Sequence, residues 1–535
     1  MSLEYKNLRD KISGSARSNA ELEQYYLNTS EEYRKHVDLS VFQHHFSQNS
    51  PSSFLWHDYE GGGIHATISP STQFAAVRTD ENLNVVDIPI DVLCKPPLDN
   101  LIHPEAALLT GLSPMRLLRD GLQEHDFFRI IYNEMIIPNT CSAGYNSLSY
   151  DDEMTRAGFF RNLFPMYKRE FSNGNSRWDI FPVLMAYFAT RPAGITFPLN
   201  DSGEPSLKLE DLAKANGILQ ESAHNALDDV YALIGLCKLL KSSNKKLWDH
   251  LYYRRTKKPV IEDVNKAMAK GQPMLHISGY AGKSNYCMQL IKPIGFSQAK
   301  GGNNTLIAIK LDDTLPSWTA LSLIEAESLL YAEKEEVNAL GKSRPGIVSI
   351  KVNKCPILLP ASITNDSEVH KKIGFNKSVP DKLREWQPFI DPASTLARAI
   401  LNKEADLKVP PYIDTALYSY GFPSDSDDWA MVENTSLTSE EYMDKNCQYS
   451  APHLQQLHIK KLIALGSNAV DESTLNKHKE LSRERILEPK DKRASLSDVL
   501  DSLEGLVAEN DKQQSILDDY DDYLSHIDKR LNLTT

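Results

Sequence analysis

The chain is predicted to fold as an α/β domain, then a small β-rich domain, then an α-helical C-terminal domain. Three observations carry this. Between about Phe54 and Leu240, apolar runs bounded by turn residues alternate with segments of helical period. From about Tyr252 the texture changes to short alternating segments separated by Gly, Asn and Lys turns. After about Asp381 helical spacing dominates. At 535 residues the chain exceeds what one core supports, so several domains are expected. The boundaries read as 1–50 for an N-terminal extension, helical or partly disordered, 51–247 for the α/β domain, 248–378 for the β-rich domain and 379–535 for the helical domain.

The elements follow in order. A first strand starts at Phe54 and ends at the acidic pair Asp58 and Glu60; Gln73–Arg78 is a second, and Val85–Ile90 a third, which makes an antiparallel meander. Helices are expected around Glu105–Leu109 and Glu124–Glu134, and a strand within Ile136–Tyr145. Lys208–Asn216 reads as a short helix stopped by Gly217, which supplies a left-handed C′ residue. The helix Ala226–Leu240 has apolar residues at helical spacing (Val230, Ile234, Leu236 or Cys237, Leu240) and Asn225 as its N-cap. Met274–Ser278, Ile307–Leu311 and Ile347–Val352 are strands of the β-rich domain, with one helix, Ala320–Leu340, inserted and stopped by Gly341. The last helix is expected to run from a Ser495 cap through Leu496, Val499, Ile516 and Tyr520 to Ile527.

Composition excludes several classes. Apolar residues at 41% and charged residues at 24% are those of an ordinary globular protein. No run approaches the roughly 20 apolar residues that span a bilayer, and no charged segment followed by an apolar one reads as a secretory signal. Cys94, Cys141, Cys237, Cys287, Cys355 and Cys447 are scattered without a C-x-x-C pair, which argues against a zinc site or a disulfide framework and for a reducing cytoplasm. A net charge of −13 describes the whole surface, whereas nucleic-acid binding depends on local fields. Lys168-Arg169, Arg254–Lys258 and Lys371-Lys372 are local basic segments, each equally readable as a solvated loop.

Asp58 and Glu60 are two residues apart, so on a strand they share one face while Tyr59 takes the other. Two carboxylates crowded at the end of a buried strand repel each other and lose hydration unless a cation compensates. Oxygen ligands of this kind suit Mg²⁺ or Mn²⁺ and make a poor zinc or copper site. Asp151 and Asp229, the latter in the first turn of a helix, bring the carboxylates to four. Four is the number needed to hold two divalent ions roughly 3.5–4 Å apart for phosphodiester hydrolysis. His224, five residues before Asp229, is placed to act as general base, since a neutral imidazole predominates near pH 7. Taken singly, each has a plainer reading: a capping histidine, a first-turn acid, a turn residue.

Together these residues resemble the DEDDh exonucleases of the ribonuclease H-like fold, in which His-x-x-x-x-Asp marks one branch. The resemblance extends to bacterial members that degrade single-stranded DNA. It rests on His57-Asp-Tyr-Glu60, Gln73–Asp80, Cys94-Lys-Pro96, Gly144-Tyr-Asn146, Asp151–Arg156, Asn175–Asp179, Arg191–Ile195, Lys214–Ile218, Ala223-His224 through Asp229–Ala232, His276-Ile-Ser-Gly279 and Asn353–Pro356. It covers Ser53 to Pro360 and thins afterwards to fragments such as Asp414–Tyr418.

The resemblance implies a mixed sheet with flanking helices, an SH3-like second domain and a helical third domain. It also implies a Mg²⁺-dependent 3′→5′ exonuclease that releases 5′-mononucleotides and acts in DNA repair or recombination. Asp58, Glu60, Asp151 and Asp229 then hold two Mg²⁺ (Mn²⁺ substituting), and His224 is the base. Glu60, Gly61, Gly62 and Arg156 are the expected substrate contacts; for Arg156 an ion pair with Asp152 or Glu153 stands as an equal alternative. Trp178 and Tyr145 stack on bases or are simply buried. Single-stranded DNA and a single-stranded DNA-binding protein are the implied partners of a cytoplasmic monomer. An RNA-directed relative and a non-catalytic single-strand-binding adaptor remain as rival readings.

Two departures stand out. Where the family has Thr-Phe-Gly after the catalytic glutamate, this chain has Gly61-Gly62-Gly63, which removes a hydroxyl and an aromatic ring and leaves a tract expected to be floppy until substrate binds. Where a basic aromatic stretch is expected in the helical domain, Lys460-Lys-Leu-Ile-Ala-Leu-Gly466 appears instead.

Overall fold

The computed structural model describes residues 52–218, 225–299, 302–403, 409–445 and 447–533. The expected N-terminal extension and His224 lie outside the described residues. Contacts divide the chain into two units: Met1–Ser176 with Leu219–Gly235 and Leu407–Thr535, and Arg177–Ile218 with Leu236–Asp406. Among the described residues no helix is long and apolar enough to cross a membrane.

The first sheet contains β1 (Ser53–Gly61), β2 (Ser71–Thr79), β3 (Ile90–Leu93), β4 (Thr140–Gly144) and β5 (Ser176–Asp179), in the order β3-β2-β1-β4-β5. β1–β2 and β2–β3 are antiparallel and β1–β4 is parallel, so the sheet is mixed. Every position of β2 is buried, including its polar ones. Arg78 donates to Ser53 Oγ (2.8 Å), Thr140 Oγ1 (2.9 Å) and the Glu134 carbonyl (2.8 Å), and Trp56 Nε1 donates to Thr79 Oγ1 (2.8 Å).

The third strand differs from expectation. Val85 makes only an isolated bridge to Thr79, and ladder pairing begins at Ile90, after Pro89. Proline has no amide hydrogen to give a ladder, which explains the later start.

Helix α1 (Glu124–Met135) and helix α2 (Asp151–Arg161) cover this sheet. Tyr59, Phe74 and Phe127 form the aromatic centre of the core, with Tyr59–Phe74 centroids 4.7 Å apart. A Cβ at Gly158 would overlap the Phe128 ring, so glycine there sets how closely α1 and α2 approach. Helix α3 (Ala226–Ser243) starts as the sequence indicates, with Asn225 Oδ1 accepting from the Leu227 amide at 3.2 Å.

The same unit contains helices α4 (Pro452–Leu465), α5 (Glu472–Leu487) and α6 (Asp511–Leu531). Ile486, Val499, Ile516 and Tyr520 share a core with Leu101, Leu112 and Leu117. The expected continuous terminal helix is two: Leu496–Gly505, opened by a Ser495/Asp498 capping box, and α6, capped by Asn510. A glycine at the end of the first and a fresh N-cap before the second explain the break.

Beneath α4 and α5 lies a buried charge cluster. Arg485 reaches Asp99 (2.5 Å) and Asp414 (2.9 Å), and Lys460 reaches Asp414 (2.6 Å) and Asp99 (3.2 Å). Lys461 is buried, donates to the Asn162 carbonyl at 2.8 Å and sits 3.4 Å from the Tyr442 ring centroid. The lysines that replace the expected basic aromatic stretch therefore neutralise or cap buried groups of their own unit.

In the second unit β6 (Met274–Ile277), β7 (Met288–Phe296), β8 (Thr305–Lys310), β9 (Ile347–Lys351) and β10 (Ile357–Pro360) form an antiparallel sheet in the order β10-β6-β7-β8-β9. The helix Val379–Leu401 packs Trp386, Ile390 and Ala393 on Leu290, Ile307 and Ile309, so contacts place it with this sheet. The single helix expected over Ala320–Leu340 is instead Leu323–Tyr331 and Lys334–Ala339. A Ser322/Glu325 capping box starts the first, and extended Ala332 and Glu333 separate the two. Trp178 is buried, edge-on to Trp248 and Tyr252.

Candidate active site

The carboxylates gather where β1 outruns its parallel neighbour. β4 pairs with β1 only as far as Trp56, while β2 continues to Glu60 and beyond. The chain turns away after β4 through Gly144, where a Cβ would crowd Ser147 and the His57 carbonyl. A crevice beyond the C-terminal end of parallel strands is where α/β sheets present ligands.

Alternation along β1 then decides which side chains face it. Tyr59 is buried in the aromatic core, and Asp58 and Glu60 are half-buried on the other face. Ligand oxygens of Asp58, Glu60 and Asp229 lie within 4.8 Å of one another. Asp229 comes from the first turn of α3, where its amide donates to the Asn225 carbonyl at 3.0 Å. Asp151 opens α2, and its Oδ1 accepts from the Tyr59 amide at 3.2 Å. Both aspartates sit at helix N-termini, whose partial positive charge lowers the cost of holding an anion there.

The electrostatics are those of a site short of positive charge. Burial and then the Asp229 charge raise the Asp58 carboxyl above its ordinary range, and burial, Asp58 and Asp229 do the same to Glu60. His57, next in the strand but buried on the opposite face, is pushed down to about 3, first by burial and then by Arg169. Among the described residues no basic side chain pairs with Asp58 or Glu60. Clustered carboxylate oxygens of this kind fit a hard divalent ion.

The remaining expected site residues divide. Arg156 is buried, donates to Glu153 (2.8 Å) and Glu170 (2.7 Å) and lies 3.9 Å from Asp152. Its guanidinium edges are therefore engaged by carboxylates of its own unit. Arg169 makes a second buried pair with Asp152 at 2.6 Å.

The glycine tract is not slack, contrary to expectation. The Gly62 amide donates to the Pro70 carbonyl at 2.8 Å, the Gly62 carbonyl accepts from the His103 amide at 2.9 Å, and the Gly63 carbonyl accepts from Tyr150 Oη at 2.7 Å. Those bonds order the tract from both sides without a ligand. Sequence reasoning gave Tyr150 no role; its position immediately before Asp151 was the available signal. Its hydroxyl titration is raised by burial and then by the charges of Asp151, Glu60 and Asp58.

The fold and this carboxylate set define an exonuclease, a hydrolase of phosphodiester bonds. A family model described as "Exonuclease" matches residues 55–237, and one described as "Exonuclease I SH3-like domain" matches 255–386. The exodeoxyribonuclease I of Haemophilus influenzae is 34% identical over 406 residues, covering 76% of this chain and 84% of its own length. That of Escherichia coli is 34% identical over 382 residues, covering 71% and 78%. The crystal structure of E. coli exonuclease I in complex with a dA16 oligonucleotide superposes with a TM-score of 0.80 at 29% identity, covering 89% of this chain and 100% of that one. The chain belongs to the exodeoxyribonuclease I family.

Proposed function

We propose that this exonuclease shortens single-stranded DNA from its 3′ end, releasing 5′-mononucleotides with Mg²⁺ as cofactor, in DNA repair or recombination. The observation that carries this reading is the convergence of Asp58, Glu60 and Asp229 within 4.8 Å, with Asp151 fixed against the same strand. Kinship with an enzyme crystallised on dA16 supports DNA over RNA as substrate. A single-stranded DNA-binding protein is the proposed partner, and a cytoplasmic monomer the proposed working form.

Asp58, Glu60, Asp151 and Asp229 are the residues that would hold two divalent ions. When bound, such ions lower the pKa of a coordinated water and neutralise charge building on the phosphate. The protein's own contribution is positional. β1 fixes the Asp58–Glu60 spacing, the Tyr59 amide fixes Asp151, and the first turn of α3 fixes Asp229. His224, assigned from its spacing to Asp229, takes the proton of the attacking water. Glu60, Gly61 and Gly62 line the approach of the terminal nucleotide. Arg156 is the structural member of the set, since its carboxylate partners already use it.

The test uses 5′-labelled single-stranded DNA, single-stranded RNA and duplex DNA, each with Mg²⁺ or EDTA, beside Asp58→Ala. Shortening of single-stranded DNA from the 3′ end, abolished by EDTA and by the substitution, is expected. Preferential RNA degradation would favour an exoribonuclease, and equal activity of the variant would remove these carboxylates from the chemistry.

A further inference from the structure

Three consecutive glycines follow the acidic strand, yet none of them has a positive φ. Backbone conformation therefore does not require glycine here; space does. A Cβ at Gly61 would come well under 3.0 Å from Tyr150 Oη and 2.9 Å from Met154 Cε. At Gly62 it would meet Pro70 Cγ at 2.8 Å, and at Gly63 Ser69 Oγ at 2.8 Å. The volume that a side chain at position 61 would occupy is filled by the tyrosine.

We propose that Tyr150 is the positioning residue of the Gly61–Gly63 loop, with its phenol filling the space that a side chain at position 61 would take. The hydroxyl donates to the Gly63 carbonyl at 2.7 Å and so ties the loop to the start of α2, one residue from Asp151. One bond thereby couples the segment that meets the terminal nucleotide to the helix that carries a metal-site carboxylate. The small residue at 61 and the hydroxyl at 150 form a pair: each is tolerated because of the other. This rests on the nuclease reading above and deepens it by naming what shapes the end-binding pocket.

The experiment is a double-mutant cycle of Tyr150→Phe and Gly61→Thr in the full chain. It is read by steady-state cleavage of 5′-labelled single-stranded DNA, with thermal melting as control. Tyr150→Phe frees the loop and is expected to raise KM about 10-fold, the value of one lost hydrogen bond, with kcat within about 3-fold. Gly61→Thr alone collides with the phenol and loses more. Combined with Tyr150→Phe it gains room and restores a hydroxyl, so the double variant should exceed the Gly61→Thr single variant in kcat/KM. Where Gly61→Thr fails to fold beside Tyr150, Gly61→Ala replaces it in both backgrounds, since its Cβ meets the same oxygen.

An unchanged KM in Tyr150→Phe would overturn the proposal, as would losses that simply multiply in the double variant. If the wild-type chain does not shorten single-stranded DNA at all, it is the nuclease reading that fails. If wild type cleaves, Asp58→Ala does not, and the cycle multiplies, only the Tyr150 proposal fails.

Discussion

Asp151 Oδ1 accepts a hydrogen bond from the backbone amide of Tyr59, 92 residues earlier in the chain, at 3.2 Å. Tyr59 sits between Asp58 and Glu60, so this single bond registers the N-terminus of α2 against the strand that carries the other carboxylates. It also satisfies an amide at a point where β4 no longer runs beside β1. Asp151→Ala should therefore damage two properties at once. The orphaned amide costs about 1–3 kcal/mol of stability, and divalent-ion affinity falls by more than the roughly 10–100-fold that losing an outer-shell partner causes. Asp151→Asn, which keeps a carbonyl acceptor, should recover stability but not affinity. Thermal melting and Mn²⁺ titration calorimetry separate the two.

Asp58→Asn is expected to do the reverse. Removing one ionisable carboxyl from three crowded ones relieves the cost that burial and the Asp229 charge place on ionised Asp58. In EDTA the variant should melt higher than wild type, by a few degrees for about 1 kcal/mol, while losing nuclease activity. A lower melting temperature in EDTA would contradict the repulsion.

Arg485 is the most exposed to substitution of the structural residues, in the sense of consequence. Its removal leaves Asp99 and Asp414 buried with Lys460 as their closest remaining cation. Breaking a buried ion pair from one side costs about 3–5 kcal/mol. Arg485→Met should lower the denaturant midpoint accordingly, with the metal site of surviving folded protein unaltered.

Arg156 distinguishes phosphate contact from scaffolding. Its burial between Glu153 and Glu170 predicts that Arg156→Gln lowers the melting temperature, while KM for single-stranded DNA changes by less than about 3-fold once folded protein is counted. A large KM increase at unchanged stability would restore the phosphate role.

Acid should destabilise the protein in two stages. Burial pushes His276 down from 6.5 to about 4, so between those values the unfolded chain takes up a proton that the folded one refuses, and stability falls as pH falls. Burial alone would raise Asp99 and Asp414, but Lys460 and Arg485 outweigh it and hold both below the ordinary carboxylate range. Their contribution is complete above about pH 4, where the unfolded carboxylates are ionised, and is lost below. Melting curves from pH 7 to 3 should show the first stage and the onset of the second, and His276→Gln should reduce the first, which His57 shares.

Local pattern made much of this molecule legible. The alternation Asp58-Tyr59-Glu60 gave the shared face, the cap at Asn225 gave the start of α3, and the spacing of Val230, Ile234 and Leu240 gave its buried side. The errors fell where a continuous apolar pattern hid a break. Extended Ala332 and Glu333 divide one expected helix, and Asn510 opens a new helix through a capping bond, features that hydrophobic period alone does not register.

By itself the sequence determined the resemblance that places the chain in its family, and through it the expected class of chemistry. Only the tertiary structure decided which side chains are free to act. Lys460 is matched to Asp414, far away in sequence, the glycine tract is held by Pro70, His103 and Tyr150, and the Val379–Leu401 helix packs on the β-rich sheet. The physical reason is the same in each case. Period and capping are local properties of the chain, whereas the neutralisation of a buried charge or the filling of a missing Cβ's volume depends on residues that folding brings in from elsewhere.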